Sequence, residues 1–595
     1  MLRIFSNASL ILLAAAQLAI AAGPRVDIVI GEKAPALEKR AAEDVAADLK
    51  KVYDAEVKIA TAAPEGAENV IFVGSPETNE QTKKQISEIW PNLTEQGHVL
   101  RTVRFRGKPA IFIGGGSPVA VYWAASEYAH SLGIRSLLYG DLYPVSPKPF
   151  SLAGYDTLRK PVAKERSWQF IESSPAALSS WGLNDQKLLL HQLARLKFNR
   201  LTIEVHPWQP FIQFEHAGVK KQTHVLWYGW QFPVSGDTAG RAAFRGARFF
   251  ENPDFSAQGS KQLSVKAGQT LVNGLIDEAH SLGMKTSLVF NPLEFAKEFA
   301  EVLPEARVVP DTEGLAVTLA EGQNLDNEKV AQLLDAQLKA YLSAYPGIDG
   351  LTLSGARSGS LRSFMDQRKA IVGEREVQFA SREIRLSPMP LAMDKNYKTY
   401  FLSQWSFDFT VTDESACQSL VVPVCGEGVD GVVLKAQSQM EEGNGLSRKN
   451  DPEFTLPNPN MLLKHYASSD PPPEWWSKVR DNYLGAMNDM YRANSRAREG
   501  GRSYTLYLAR RCEFGYEYMN CVEATRLAGI AKGKKDTAEQ RAQLEKAIES
   551  MNAACSALAA VARDQSDRGM IAVCNEFGYK ALQKELEKLD AEESK

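Results

Sequence analysis

The sequence predicts a multidomain α/β protein: an N-terminal α/β domain, then a (β/α)8-type barrel that is irregular or incomplete in its second half, then a C-terminal all-α domain. Three observations predict it. Apolar runs of strand length alternate with amphipathic helical stretches from Val26 to Leu353. The stretch Arg166–Pro210 parses as strand, loop, helix, strand, and two consecutive strands joined by a helix lie parallel. Beyond Asp470-Pro-Pro-Pro473 the composition turns to Ala, Leu and Glu with few glycines, as in a helical bundle.

The start of the chain sets the expected compartment. Met1-Leu-Arg3 is a short basic segment, Ala8–Ile20 is an apolar run, and Ala19-Ile-Ala21 has the small-x-small form of a cleavage site. Residues 1–22 therefore read as a signal peptide. No later stretch approaches the length of apolar residues that spans a bilayer, so the mature protein is expected in the periplasm or secreted, with no membrane segment. No Cys follows the apolar run, which excludes a lipoprotein signal.

Composition narrows the class. Of 595 residues, about 570 remain after cleavage, enough for several domains. A net charge of −3 without any Lys/Arg-rich block argues against nucleic acid and against an anionic membrane surface as partners. The six cysteines at 417, 425, 512, 521, 555 and 574 fall in the last third. They assign no pairing by themselves, and buried free thiols stand beside disulfides as a reading. The absence of C-x-x-C, H-E-x-x-H and G-x-S-x-G argues against structural zinc, a zinc protease and a serine hydrolase, so no metal and no cofactor is expected.

Residues 23–160 form the first α/β domain. Val26–Ile30 is a strand and Ala36–Tyr53 an amphipathic helix, with Pro35 suited to its start. Strands follow at Glu56–Ala60 and Asn69–Val73, then a hairpin of Val99–Arg106 and Pro109–Ile113 turning at Gly107-Lys108. Gly114-Gly-Gly116 opens a helix over Val119–Leu132, and Ile134–Tyr139 is a last strand. The three glycines do not have P-loop or dinucleotide spacing, so they read as a tight strand-to-helix turn.

The segments VIFVGSPETN and IGGGSPVAVYWAASEYAHSLGIRSLLYGDLYP, in this order of elements, resemble the accessory N-terminal domain that precedes the catalytic barrel in bacterial α-glucuronidases and β-hexosaminidases. Ala120, Tyr122, Ala124, Ala125 and Tyr128, followed by Leu132-Gly-Ile-Arg135, carry the resemblance. It implies a glycosidase barrel downstream and brings no catalytic residue of its own.

Residues 161–465 are the expected barrel. The strand Ser167–Ile171 ends at Glu172, the helix Asp185–Leu196 takes Asn184 or Asp185 as its cap, and the strand Arg200–Ile203 runs into Glu204-Val-His206-Pro-Trp208. Two carboxylates thus stand at one rim beside Trp168, His206 and Trp208, a setting suited to a sugar ring with polar edges and apolar faces. Trp227, Tyr228, Trp230 and the segment Phe249–Phe255 form a long insertion at that rim. The helix Leu271–Leu282 and the strand Lys285–Phe290, ending near Glu294, make a second repeat, and "EAHSLGMKTSLVFNP" resembles the corresponding repeat of such glycosidases. The helix Asn327–Tyr345 and the strand Gly350–Leu353 make a third. The pattern then departs from the family. No acid follows the fourth strand, whose loop offers Arg357 instead, and alternation fades over 361–430. Leu402–Thr412 reads as a strand or edge hairpin and Gly431–Lys435 as a short strand. Four helices over 470–595 complete the chain, with Glu513 or Glu576 placed to contribute to a rim that the bundle caps.

Three functional readings stay open. The leading one is hydrolysis of a glycosidic bond in an oligo- or polysaccharide. Glu204 and Glu172 are its carboxyl pair, with Glu294, Asp394 and Asp408 in reserve. Trp168, Trp208, Trp227, Tyr228, Trp230 and Trp405 would stack on sugar faces, and His206 and Arg357 would bind hydroxyls or a uronate. The second reading is a catalytically inactive glycan-binding homologue, which the acid-free loop after the fourth strand favours. The third is a structural or interaction protein of the cell envelope that uses the helical domain as an interface.

Overall fold

The computed structural model describes the chain except residues 1–22, 171–173, 256–261, 304, 310–311, 320–324, 326, 355–361, 364, 380–394, 452–460 and 594–595. Residues 1–22, read above as a signal peptide, and Glu172, Arg357 and Asp394 lie outside the described residues. Two compact units are present: residues up to Arg135 with Tyr143–Lys164, and Ser136–Leu142 with Glu165 onward.

The first unit is a six-stranded sheet. Its strands are β1 (Arg25–Val29), β2 (Glu56–Ala60), β3 (Val70–Val73), β4 (His98–Phe105), β5 (Lys108–Gly115) and β6 (Asp156–Arg159), in the order β2-β1-β3-β5-β4-β6. β2, β1, β3 and β5 pair in parallel, while β4 runs antiparallel to both neighbours. The hairpin turns at Arg106 and Gly107, both at positive φ (50° and 81°), which is the backbone that matches strand twist in a two-residue turn. Helix α1 (Ala36–Tyr53) buries Ala41, Ala42, Val45 and Leu49 at helical spacing. Helix α2 (Pro118–Ser131) starts on the side chain of Ser117, which accepts from Ala120 N. The glycines before it serve close approach: a Cβ on Gly115 would lie 2.5 Å from the Ala120 carbonyl carbon.

The second unit contains a five-stranded sheet of β7 (Ser167–Phe170), β8 (Arg200–Glu204), β9 (Lys285–Phe290), β10 (Gly350–Leu353) and β11 (Glu376–Phe379). Every neighbouring pair is parallel, and each strand lies beside its predecessor in the chain. Helices α3 (Leu183–Arg195), α4 (Val265–Ser281) and α5 (Glu328–Ala344) make three of the crossovers. Five parallel strands in chain order with helical crossovers are present among the described residues, and a closed barrel is not seen there. The register separates two faces. Leu201, Ile203, Leu288, Leu351 and Leu353 are buried on one. Arg200, Thr202, Ser287 and Glu376 share the other, where Arg200 bonds Ser287 Oγ and Glu376 at 2.6 Å each.

The hairpin turn sits one residue earlier than expected, the described residues of 470–595 hold five helices in place of four, and three further sequence expectations fail here. Leu402 belongs to helix α6 (Lys395–Trp405), which buries Tyr397, Tyr400 and Ser403 at spacings of one turn. Gly431–Lys435 opens helix α8 (Asp430–Asn450), after α7 (Asp413–Cys425), and Val433, Ala436 and Met440 form its buried stripe. Both segments carry aromatic or β-branched residues that mimic a strand in a short window, whereas the buried set repeats at 3.6. The third failure is the cap of α3: the N-cap position is Gly182, and neither Asn184 nor Asp185 caps it.

The remaining helices are α9 (Met461–Ala467), α10 (Glu474–Arg496), α11 (Glu499–Lys534), α12 (Thr537–Ala559), α13 (Gln565–Cys574) and α14 (Lys580–Glu593), with a π turn at Asn575–Tyr579. All six cysteines are buried thiols, and none is in a disulfide. No helix among the described residues is long and apolar enough to cross a membrane.

One buried carboxyl yields a test in the first unit. Glu38 is fully buried and accepts from Thr78 Oγ1 at 2.8 Å. Burial raises its pKa from 4.5 to about 7. A carboxyl whose folded pKa is raised stabilises fully below its unfolded pKa, and the contribution disappears as pH rises through about 7. Replacing Glu38 by Gln should therefore remove roughly 2–3 kcal/mol of pH-dependent stability between pH 5 and 8. Thermal melts of both proteins across that range check it, and parallel curves would contradict it.

Candidate active site

Glu204 ends β8, in register with Val289 of β9. The pairing continues one step through Val205 N to Val289 O at 2.9 Å, and the chain then turns. Gln209 Oε1 accepts from His206 N at 2.9 Å, and Gln209 N donates to His206 O at 3.0 Å. That turn directs the imidazole between two carboxylates. His206 Nε2 lies 4.0 Å from Glu204 Oε1, and Nδ1 lies 3.5 Å from Glu294 Oε2. The Trp208 indole lies against the same imidazole, with ring centroids 4.2 Å apart and planes 30° apart.

Glu294 comes from the next strand end. After β9 a turn closes through Glu294 N to Asn291 O at 3.2 Å. Glu294–Ala296 then pairs antiparallel with Ala316–Thr318. The Glu294 side chain is 6% exposed and that of Glu204 22%. The two nitrogens of an imidazole are about 2 Å apart, so the carboxyl oxygens facing them are less than about 10 Å apart. Carboxyl pairs of glycosidases span roughly 5 to 10 Å.

Beside these groups is a narrow hollow of about 30 Å³, room for little more than a water molecule. Glu204, His206, Gln209, Ser179 and Gln186 contribute polar groups to its wall, and Phe170, Ile203, Tyr228 and α4 contribute apolar ones. Tyr228 is buried, and desolvation followed by the charge of Asp254 raises its hydroxyl pKa.

The insertion at the rim and the C-terminal helices support this wall. Asp254 Oδ2 accepts from Leu183 N at 2.6 Å, so a residue of the insertion caps α3 in place of a local side chain. Asn252, itself buried, donates to Ser180 O at 2.7 Å. α13 crosses the loop after β7 so closely that a Cβ on Gly569 would lie 1.9 Å from Pro175 O. The π turn reaches the insertion, where Asn575 Oδ1 accepts from Ala239 N at 3.0 Å. Gln565 Nε2 donates to Glu251 O at 2.8 Å.

The structure thus brings Glu204, His206, Trp208 and Tyr228 together and adds Glu294. Trp227 and Trp230 belong to the insertion, where Trp227 faces Phe577 with ring centroids 6.4 Å apart, and neither lines the hollow. Trp168 shares a face of the sheet with Phe170 and Ile203 but does not line the hollow, and it lies edge-on to Phe198 at 6.2 Å. Trp405 is elsewhere. It stacks on Phe409 at 4.3 Å, and nearby Phe407 lies against Arg166 and Lys197, which precede β7 and β8 at the strand ends opposite Glu204. Asp408 accepts from Thr410 in that same turn. Glu513 is held by Tyr491 and Arg510 within the helices, and Glu576 pairs with Lys580 at 3.0 Å. Gln209, Gln186 and the Asn252-Pro-Asp254 cap were not foreseen; the Asn-Pro-Asp tripeptide, typical of turns and caps, was their one local signal. Among the described residues no group of three or more His, Cys, Asp or Glu side chains is placed to hold a metal ion.

Solved structures with a similar course of the chain are glycoside hydrolases. A family 115 4-O-methyl-α-glucuronidase with specificity for decorated arabinogalactans matches 93% of this chain and 79% of its own, at 13% identity and a TM-score of 0.45. A family 138 enzyme targeting pectin rhamnogalacturonan II matches 96% and 99%, at 10% identity and 0.49. A family 89 glycoside hydrolase from Clostridium perfringens, in complex with its substrate GlcNAc-α-1,4-galactose, matches 87% and 65%, at 10% identity and 0.47. No family model matches the chain, and no curated protein does. The likeness is to glycoside hydrolases in general and singles out no family.

The cap supplied by the insertion gives a stability test. Asp254→Ala should lower stability by about 1–2 kcal/mol, because the first N–H of α3 loses its acceptor. Denaturant unfolding checks it, and an unchanged midpoint would contradict the capping role.

Proposed function

We propose that this protein is an exported glycoside hydrolase in which Glu204 and Glu294 are the working carboxyl pair. The observation that carries the proposal is the placement of both carboxyl groups about one imidazole, Glu204 at the C-terminal end of β8 and Glu294 just beyond the turn that follows β9. In this reaction one carboxylic acid gives its proton to the glycosidic oxygen as the bond to the anomeric carbon breaks. The other carboxylate attacks that carbon or takes a proton from the water that does. His206 stands between the two carboxyl groups, and Trp208 lies against its ring. Export rests on the leader features of residues 1–22.

Release of chromophore from a panel of aryl-glycosides tests the proposal. Wild-type protein should turn over at least one of them. Glu204→Gln and Glu294→Gln should each lose at least about 100-fold in kcat/KM while keeping a folded-state melt. Full activity in either variant would contradict the assignment. Saccharide binding without turnover would favour the glycan-binding reading, and neither binding nor turnover would favour an envelope interaction protein.

A further inference from the structure

The loop that carries His206 and Trp208 is followed by four residues, Gln209–Ile212, whose backbone is held by buried side chains. Lys221 is fully buried. Its Nζ donates to Gln209 O and to Ile212 O, 3.0 Å each. Tyr345 Oη donates to Phe211 O at 2.6 Å. Pro210 O lies where a Cβ on Gly268 of α4 would come within 2.2 Å. The same turn supplies the Gln209 amide that accepts from His206 N. Lys221 is itself fixed by its backbone, with its N–H on Phe214 O at 3.1 Å and its carbonyl accepting from Gln213 Nε2 at 2.7 Å.

We propose that Lys221 is a positioning residue of the candidate active site: its buried ammonium clamps the Gln209–Ile212 turn and thereby sets where His206 and Trp208 stand. This role rests on the reading of the site as a hydrolase only for its effect on turnover. A buried ammonium bonded to carbonyls makes charge-assisted hydrogen bonds, which are roughly twice as strong as neutral ones. Methionine or leucine at this position would fill the space and supply no donor. The charged and titratable groups acting on the cluster are Glu298, His224 and Lys220. Burial lowers the Lys221 pKa to about 7, and Glu298 opposes the shift. Above that pH the amine keeps N–H groups to donate but loses the charge that strengthens them.

Two measurements on the full chain test the clamp. In protein labelled with 13C at histidine Cε1, with the His206 signal assigned through His206→Asn, Lys221→Met should move that signal. Hydrogen exchange of wild type needs no variant. After correction for intrinsic exchange, protection over residues 205–212 should fall at least about threefold between pH 6 and 8.5, while that of Lys285–Phe290 stays level. A folded Lys221→Met protein with an unmoved His206 signal, or wild-type protection over 205–212 that stays level with that strand, would overturn the proposal. On an aryl-glycoside that wild type turns over, Lys221→Met should cut kcat at least about tenfold with a smaller effect on KM. Absence of turnover in wild type would remove the hydrolase reading alone, since the signal and exchange readouts judge the clamp without it.

Discussion

Two carboxyl groups brought within reach of each other in a half-buried place repel when both are ionised, and a polar group between them eases that repulsion. Here that group is His206, with Glu204 on one nitrogen and Glu294 on the other. The constraint reaches far into the fold. It requires β8 and β9 to pair in parallel with Glu204 opposite Val289, so that the chain leaving β8 and the chain leaving β9 emerge side by side. A shift of one residue in that register would turn Glu204 toward the opposite face and separate the three groups.

The apolar side of the sheet fixes the register. Leu201, Ile203 and Leu288 are buried under the crossover helices, while Arg200, Thr202 and Ser287 face the other way. Around the rim, segments distant in sequence do the holding. Asp254 caps α3, Lys221 and Tyr345 grip the turn after Trp208, and α13 rests on the loop after β7 through Gly569. The C-terminal helices therefore belong to the support of the rim as well as to their own apolar core.

Much of the scaffold was legible in the sequence, because it depends on local pattern. The bounds of Ala36–Tyr53 follow from periodicity and Pro35, and those of Lys285–Phe290 and Gly350–Leu353 from periodicity and flanking glycines. The parallel pairing of β7 with β8 followed from the helix between them. Leu402–Thr412 and Gly431–Lys435 misled because a few aromatic or β-branched residues outweighed a helical period visible only over a longer window. Glu204, His206 and Trp208 were legible because they follow one strand. Glu294 stood only in reserve, since its meeting with His206 depends on a turn after β9 and an antiparallel pairing that no local signal announces. Trp405 looked like a sugar platform by residue type, and its place at the other end of the strands is a matter of tertiary path.

The most direct test of the central claim is a crystal structure of the Glu204→Gln protein with the saccharide that best binds it in a glycan screen. The account predicts a sugar ring beside Trp208, with its glycosidic oxygen within about 3 Å of the residue 204 amide or of the Glu294 carboxyl. A saccharide bound with its glycosidic oxygen out of reach of both side chains would contradict it.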